Sequence, residues 1–141
     1  MQAFEYDSDW TELGVFPVKT ENDIVKVRQM ARQYAKDFKM GIVEQTRITT
    51  AVSELLRNMY QYANGGEVTI NQGYFDGHNA LIFTFEDQGP GIENLDLAMS
   101  DGYTSGGGMG YGLPGAKRLV DSFEIRTEVN TGTLIRLMKW K

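Results

Sequence analysis

The hydrophobic period of the chain switches at Asn64-Gly65-Gly66, and that switch limits the folds open to it. Before it, Ile24, Val27, Met30, Ala31, Tyr34, Ala35 and Phe38 recur every three or four residues behind the cap-type run Thr20-Glu21-Asn22-Asp23, the pattern of an amphipathic helix. A second such pattern starts near Glu44 and carries Ile48, Ala51, Val52, Leu55, Met59 and Tyr62 or Ala63. From Glu67 the period becomes two. Val68, Ile70, Gln72 and Tyr74 share one face, Asp76-Gly77-His78-Asn79 turns the chain, and Leu81, Phe83 and Phe85 return along a second strand. The same parity puts Asp87 on the side of Leu81, Phe83 and Phe85, so a carboxylate faces inward beneath the helical layer and needs a partner there.

The remaining chain adds to this frame. Residues 14–19 alternate as a short strand; Gly89-Pro90-Gly91 ends the second hairpin strand, and residues 92–100 read as a short helix. Residues 101–111 hold too many glycines to pack and are expected to be mobile. A helix over residues 113–120 follows, then Phe123-Glu124-Ile125-Arg126-Thr127, a turn at Asn130-Thr131-Gly132, and Thr133-Leu134-Ile135-Arg136-Leu137 as another hairpin. The expected fold is an α/β (α+β) two-layer sandwich: a mixed, mostly antiparallel sheet of about five strands, covered on one face by three main helices. With 141 residues and neither linker nor internal repeat, one domain over residues 17–141 is expected, preceded by residues 1–16 as a disordered tail or an edge strand.

Composition removes several functions. A formal net charge of −5 with scattered Lys and Arg argues against nucleic-acid partners and points to proteins instead. No apolar run approaches a membrane span, and the acidic start is unlike a signal peptide, so a cytoplasmic protein with no membrane partner is expected. Zero cysteines and a single histidine, His78, leave no Cys/His zinc site. Any metal must sit on carboxylate, amide and phosphate oxygens, which suits magnesium.

Three motifs carry chemistry. Glu54 and Asn58 are i and i+4 on the second helix and project from one face, where a carboxylate and a carboxamide can share a metal-bound phosphate. A solvated helix face explains such a pair equally well, since two fixed residues recur by chance at roughly one position in 400. Asp87-x-Gly89-x-Gly91 joins an inward acid to glycines that leave backbone open to a ligand, although a hydrogen-bonded turn also accounts for it. Gly108-x-Gly110-x-Gly112 lacks both the strand of a dinucleotide fingerprint and the Gly-Lys-Ser/Thr of a phosphate loop, and alone is a flexible loop. His78 at a hairpin tip reads as solvent-exposed, Tyr60 and Tyr62 as core and rim, and Lys117 and Arg118 as facing water.

Taken in order, with Gly132-Thr133 opening the last strand, these motifs resemble the GHKL ATP-binding superfamily of gyrase, Hsp90, histidine kinase and MutL type, whose domain is the Bergerat fold. Arg47-Ile-Thr-Thr-Ala-Val-Ser-Glu-Leu-Leu-Arg-Asn58, Glu86-Asp-Gln-Gly-Pro-Gly-Ile92 and Gly112-Leu-Pro-Gly-Ala-Lys-Arg-Leu-Val-Asp121 are most similar to the RsbT family, the serine/threonine switch kinases of bacterial stressosomes. The likeness covers roughly residues 18–139. It implies that Asn58 coordinates Mg2+ on the ATP phosphates and that Glu54 is the general base. Asp87, supported by Thr133, would read the adenine amino group. Gly89 and Gly91 would lie beside the nucleotide, and Gly108, Gly110 and Gly112 would cover its phosphates, with the helix opening at Leu113 behind them.

The resemblance implies an ATP-dependent protein serine/threonine kinase of stress response. Its partners would be a STAS-domain antagonist or scaffold, which it phosphorylates, and a downstream effector such as a PP2C-type phosphatase, to which it then switches. Two alternatives stand beside it: an anti-sigma factor kinase that binds a sigma factor, and a nucleotide-gated binding module without transfer. Gyrase, Hsp90 or MutL chemistry needs transducer domains for which the chain has no residues left.

Overall fold

The structure is a computed structural model that describes residues 1–5, 7–100 and 112–141. Its elements run β1 (Thr11–Val18), α1 (Glu21–Asp37), α2 (Ile42–Ala63), β2 (Gly66–Phe75), β3 (His78–Asp87), α3 (Leu95–Ala98), α4 (Leu113–Arg118), β4 (Ser122–Glu128) and β5 (Gly132–Trp140). The strands form one sheet in the order β1-β2-β3-β5-β4. Where the sequence left room for a parallel pairing, all four ladders are antiparallel. The two-layer α+β sandwich expected from the pattern is the fold observed.

Local chemistry sets the element ends. Thr20 and Asp23 form a reciprocal capping box: the Asp23 amide donates to Thr20 Oγ1 at 3.2 Å, and the Thr20 amide donates to Asp23 Oδ2 at 3.0 Å. The Lys19 amide donates to the same oxygen at 2.8 Å, and these backbone donors hold the Asp23 carboxyl below its ordinary value. α2 stops where Asn64 turns left-handed at φ 60° and Gly65 follows at φ 111°, returning its amide to the Met59 carbonyl at 2.9 Å. A Cβ at Gly65 would strike the Val18 carbonyl, so the sharp exit from helix to sheet requires glycine there. The β2–β3 hairpin turns on Asp76 and Gly77, both with positive φ, the combination that matches the twist of paired strands.

One face of the sheet carries the main core. Val27, Ala31 and Ala35 of α1, Ile48, Val52, Leu55 and Leu56 of α2, and Leu113 and Ala116 of α4 pack on Val68, Ile70, Leu81, Phe83, Phe85, Ile135 and Leu137. The opposite face has a smaller cluster of Trp10, Ala80, Ile82 and Met138, edged by Phe75 and Trp140. β1 begins three residues before the strand pattern does and forms the sheet edge against β2. The described residues ahead of it cross the second face. Phe4 is buried beneath the guanidinium groups of Arg126 and Arg136, 4.4 and 4.8 Å from its ring centre, while these arginines donate to the carbonyls of Gln2, Ala3 and Glu5. His78 is exposed and stacks flat on Trp140 at 4.9 Å, a contact that the hairpin-tip reading did not anticipate.

Phe83 is fully buried at the centre of the main core. Phe83→Ala should lower unfolding free energy by about 3–5 kcal/mol, measured by urea denaturation. A loss below about 1 kcal/mol would mean that this face is not the packed core.

Candidate active site

A pocket open to solvent lies between the helices and the carboxyl end of β3. Leu55, Asn58, Met59, Tyr62 and Ala63 of α2 form one wall; Phe85, Asp87, Thr133 and Ile135 of the sheet form its floor, and Pro90, Gly91, Ile92 and Leu113 close its sides. The α2 wall follows from helical spacing, since residues three and four apart share a face. The floor follows from strand parity: Phe85 and Asp87 are two apart on β3, Thr133 and Ile135 two apart on β5, and Asp87 pairs with Thr133 across the ladder. An apolar slot with one acid in its floor suits a flat, largely apolar ring that carries a polar edge.

Asp87 is half-buried, and its two oxygens differ. Oδ1 accepts the Gly89 amide at 2.9 Å and the Thr133 amide at 3.2 Å, which commits it to the backbone. Oδ2 remains as the acceptor available to the pocket. Burial pushes the carboxyl above its ordinary value; the Gly89 and Thr133 amides pull the other way, and the negative charge of Glu86 adds to the rise. Gly89 is packed so closely that a Cβ would lie 2.5 Å from that of Ala63. Gly91 has φ 75°, and a Cβ there would strike the Glu128 carbonyl, so the loop after β3 lies flat on the β4–β5 turn. The Asn130 amide completes that seam on the Pro90 carbonyl at 2.8 Å.

Of the residues singled out in the sequence, Asn58, Asp87, Gly91, Leu113 and Thr133 line this one pocket, and Gly89 braces it through Asp87. Glu54 lies one helical turn before Asn58, outside the lining, in a part-exposed ion pair with Arg57 at 3.0 Å. Gly112 closes on it: with φ 67° the glycine caps α4, and a Cβ there would be 2.6 Å from Glu54 Oε2. Gly108 and Gly110 lie outside the described residues. Lys117 and Arg118 are exposed on α4. The sequence reading did not single out the apolar walls Leu55, Met59, Ile92 and Ile135, and it placed Tyr62 at a rim rather than in a site; their spacing marked them only as core. Among the described residues, no group of three or more His, Asp or Glu side chains is placed to hold a metal.

The raised value of Asp87 has a signed consequence. A carboxyl whose folded value lies above its unfolded one, about 3.9, supports the fold fully below that value and loses the contribution as pH rises through the folded value. Asparagine at this position keeps an Oδ1 for both amides and carries no charge. The stability of Asp87→Asn relative to the unaltered chain should therefore increase between pH 4 and pH 7, read from paired urea titrations. A difference that stays flat or shrinks would show that burial of the charge is not what sets this group.

Residues 43–141 match the family of histidine kinase-, DNA gyrase B- and HSP90-like ATPases. The chain is 47% identical to the serine/threonine-protein kinase RsbT of Bacillus subtilis over 123 residues, covering 87% of this chain and 92% of that one. It is 35% identical to the anti-sigma F factor of Clostridium kluyveri over 103 residues, 68% of this chain and 70% of that one. A chain in the crystal structure of the SiaB-SiaC complex from Pseudomonas aeruginosa superimposes with a TM-score of 0.57 at 13% identity, covering 91% of this chain and 89% of that one, a likeness of fold. The chain thus belongs to the histidine kinase-, gyrase B- and HSP90-like ATPases and, within them, to the RsbT-type serine/threonine-protein kinases, which use ATP.

Proposed function

We propose that the chain transfers the terminal phosphoryl group of ATP to a serine or threonine of a small STAS-domain antagonist or scaffold, in the cytoplasm, and that this transfer switches it to a downstream effector such as a PP2C-type phosphatase. The observation that carries the reading is the convergence of Asn58, Asp87, Gly91, Leu113 and Thr133 on one pocket, with Glu54 beside Gly112 one turn away. The pocket suits an adenine: Leu55, Met59, Phe85, Ile92 and Ile135 offer apolar surface to a flat ring, and Asp87 Oδ2 is an acceptor for an exocyclic amino group.

Phosphoryl transfer asks a protein for positioning and charge neutralisation more than for covalent chemistry. Mg2+ would supply the neutralisation when bound with ATP. The donor set suits that role: Asn58, a carboxamide oxygen donor, lines the pocket and would hold the ion together with oxygens of the phosphates. Glu54 acts as the base that accepts the proton of the substrate hydroxyl. Its ion pair with Arg57 is part-exposed and contributes little stability, so the carboxylate exchanges partners readily. The nucleotide-covering glycines proposed at 108 and 110 lie outside the described residues; Gly112 and Leu113 alone represent that segment here.

The likeness to an anti-sigma F factor supports a second reading, a kinase that binds a sigma factor, at lower identity and coverage than the first. A nucleotide-gated binding module without transfer is the third, and the two tests below separate it.

Glu54→Gln should keep ATP affinity within about twofold and lower transfer by about 10²-fold or more, whereas Asn58→Ala should lose transfer and the magnesium dependence of binding together. Equal loss of ATP affinity in Glu54→Gln would make Glu54 a structural residue. For switching, incubation with a STAS-domain partner, ATP and Mg2+ should release the complex in step with phosphorylation, because one phosphate adds about two negative charges opposite a chain of net charge −5. Release by a non-hydrolysable analogue alone would favour the binding module.

A further inference from the structure

Thr127 is half-buried and does not line the proposed nucleotide pocket, yet its hydroxyl is the meeting point of three segments around that pocket. It accepts the Ile92 amide at 2.8 Å, lies 2.9 Å from the Thr133 hydroxyl directly across the β4–β5 ladder, and lies 3.2 Å from the Gly132 carbonyl. Thr133 and Ile92 both line the pocket, and the Thr133 amide is one of the two donors on Asp87 Oδ1.

Proton bookkeeping decides what this arrangement presents to a ligand. A carbonyl only accepts, and each threonine has one hydroxyl hydrogen. All three contacts are filled together only if Thr127 donates to the Gly132 carbonyl and Thr133 donates to Thr127. Thr133 then has no hydrogen left and offers the pocket lone pairs only. The opposite sense, Thr127 donating to Thr133, fills the hydroxyl pair but leaves Gly132 without that donor, so it satisfies one bond fewer.

We infer that Thr127 is a positioning residue that fixes the Thr133 hydroxyl as an acceptor, so that the pocket selects a purine with an amino group over one with an oxo group at carbon 6. The inference rests on the nucleotide reading of the pocket proposed above. With Asp87 Oδ2 and Thr133 Oγ1 both accepting, the amino group of adenine finds acceptors, whereas the oxo group of hypoxanthine or guanine meets lone pairs and no donor. Valine at position 127 would keep the shape but lose the hydroxyl, leaving Thr133 to rotate and donate.

The test is the ratio of dissociation constants for ITP and ATP, measured by calorimetry with magnesium. The two nucleotides differ on one purine edge, at carbon 6, amino against oxo, and at the adjoining N1, acceptor against N–H donor. The unaltered chain should prefer ATP; Thr127→Val should shrink the preference about tenfold, and Thr127→Ser, which restores the hydroxyl, should return it. Should the valine chain fail to fold, Thr127→Cys, similar in size and a weak hydrogen-bonding group, is read on the same ratio. An unchanged ratio with both affinities lowered would make Thr127 merely structural and overturn the inference, as would an unaltered chain that binds both nucleotides alike. Asp87→Asn separates the two levels: if it leaves ATP affinity intact, the nucleotide reading fails and the inference with it, while lost ATP affinity beside an unchanged valine ratio rejects the role of Thr127 alone.

Discussion

One carboxylate oxygen, Oδ1 of Asp87, joins the end of β3 and the loop just after it to a strand 46 residues further along the chain. It takes the amide of Gly89 two residues on and the amide of Thr133 from the neighbouring strand, which ties together the end of β3, the loop after it and the start of β5. The cost is a charge held in a half-buried site, seen in its raised proton affinity. A hydrophobic residue here would avoid that cost but leave two backbone donors without their acceptor. The second oxygen then belongs to the one acid of a floor otherwise made of Phe85, Thr133 and Ile135. One side chain thus holds the backbone through Oδ1 and, in the proposed reading, meets the nucleotide through Oδ2.

α2 has a comparable double duty. Its 22 residues bury Ile48, Val52 and Leu56 in the main core, and from Leu55 onward Leu55, Asn58, Met59 and Tyr62 form a pocket wall. At the end of the helix the missing Cβ of Gly89 lets Ala63 approach the loop after β3. A helix clamped by a large core is a better mount than a loop for the roles proposed for Asn58 and Glu54, because positions near 0.5 Å matter in phosphoryl transfer.

The second face of the sheet is finished by the first residues of the chain and not by a helix. Arg136, 4% exposed, would be an expensive buried charge alone; Glu124 pairs it at 2.8 Å, the Glu5 carbonyl accepts from it, and Phe4 and Trp10 flank its guanidinium. Arg136 also sits on β5, four residues from Gly132, so this polar layer and the pocket share a strand on opposite sides.

Much of this was legible in one dimension because it depends on period and punctuation. Helical spacing marked α1 and α2, alternation marked β2 and β3, and the parity of β3 placed Asp87 inward, since successive side chains on a strand alternate faces whatever the strand pairs with. Local rules did not reveal the pairing order β1-β2-β3-β5-β4, which sets Thr133 opposite Asp87, because strand neighbours are chosen by burial across the whole sheet. The same holds for the extra residues at the starts of β1 and β4 and the far end of β5, which pairing alone recruits, and for Phe4 under two arginines. Thr127 is the clearest case. In the sequence it is one more polar residue in an alternating run; only the β4–β5 register sets its hydroxyl between Ile92, Gly132 and Thr133. The sequence by itself determined which residues could face a site, because period and backbone permissiveness are local; the tertiary structure decided which of them meet, because hydrogen bonds between distant strands exist only once the sheet has closed.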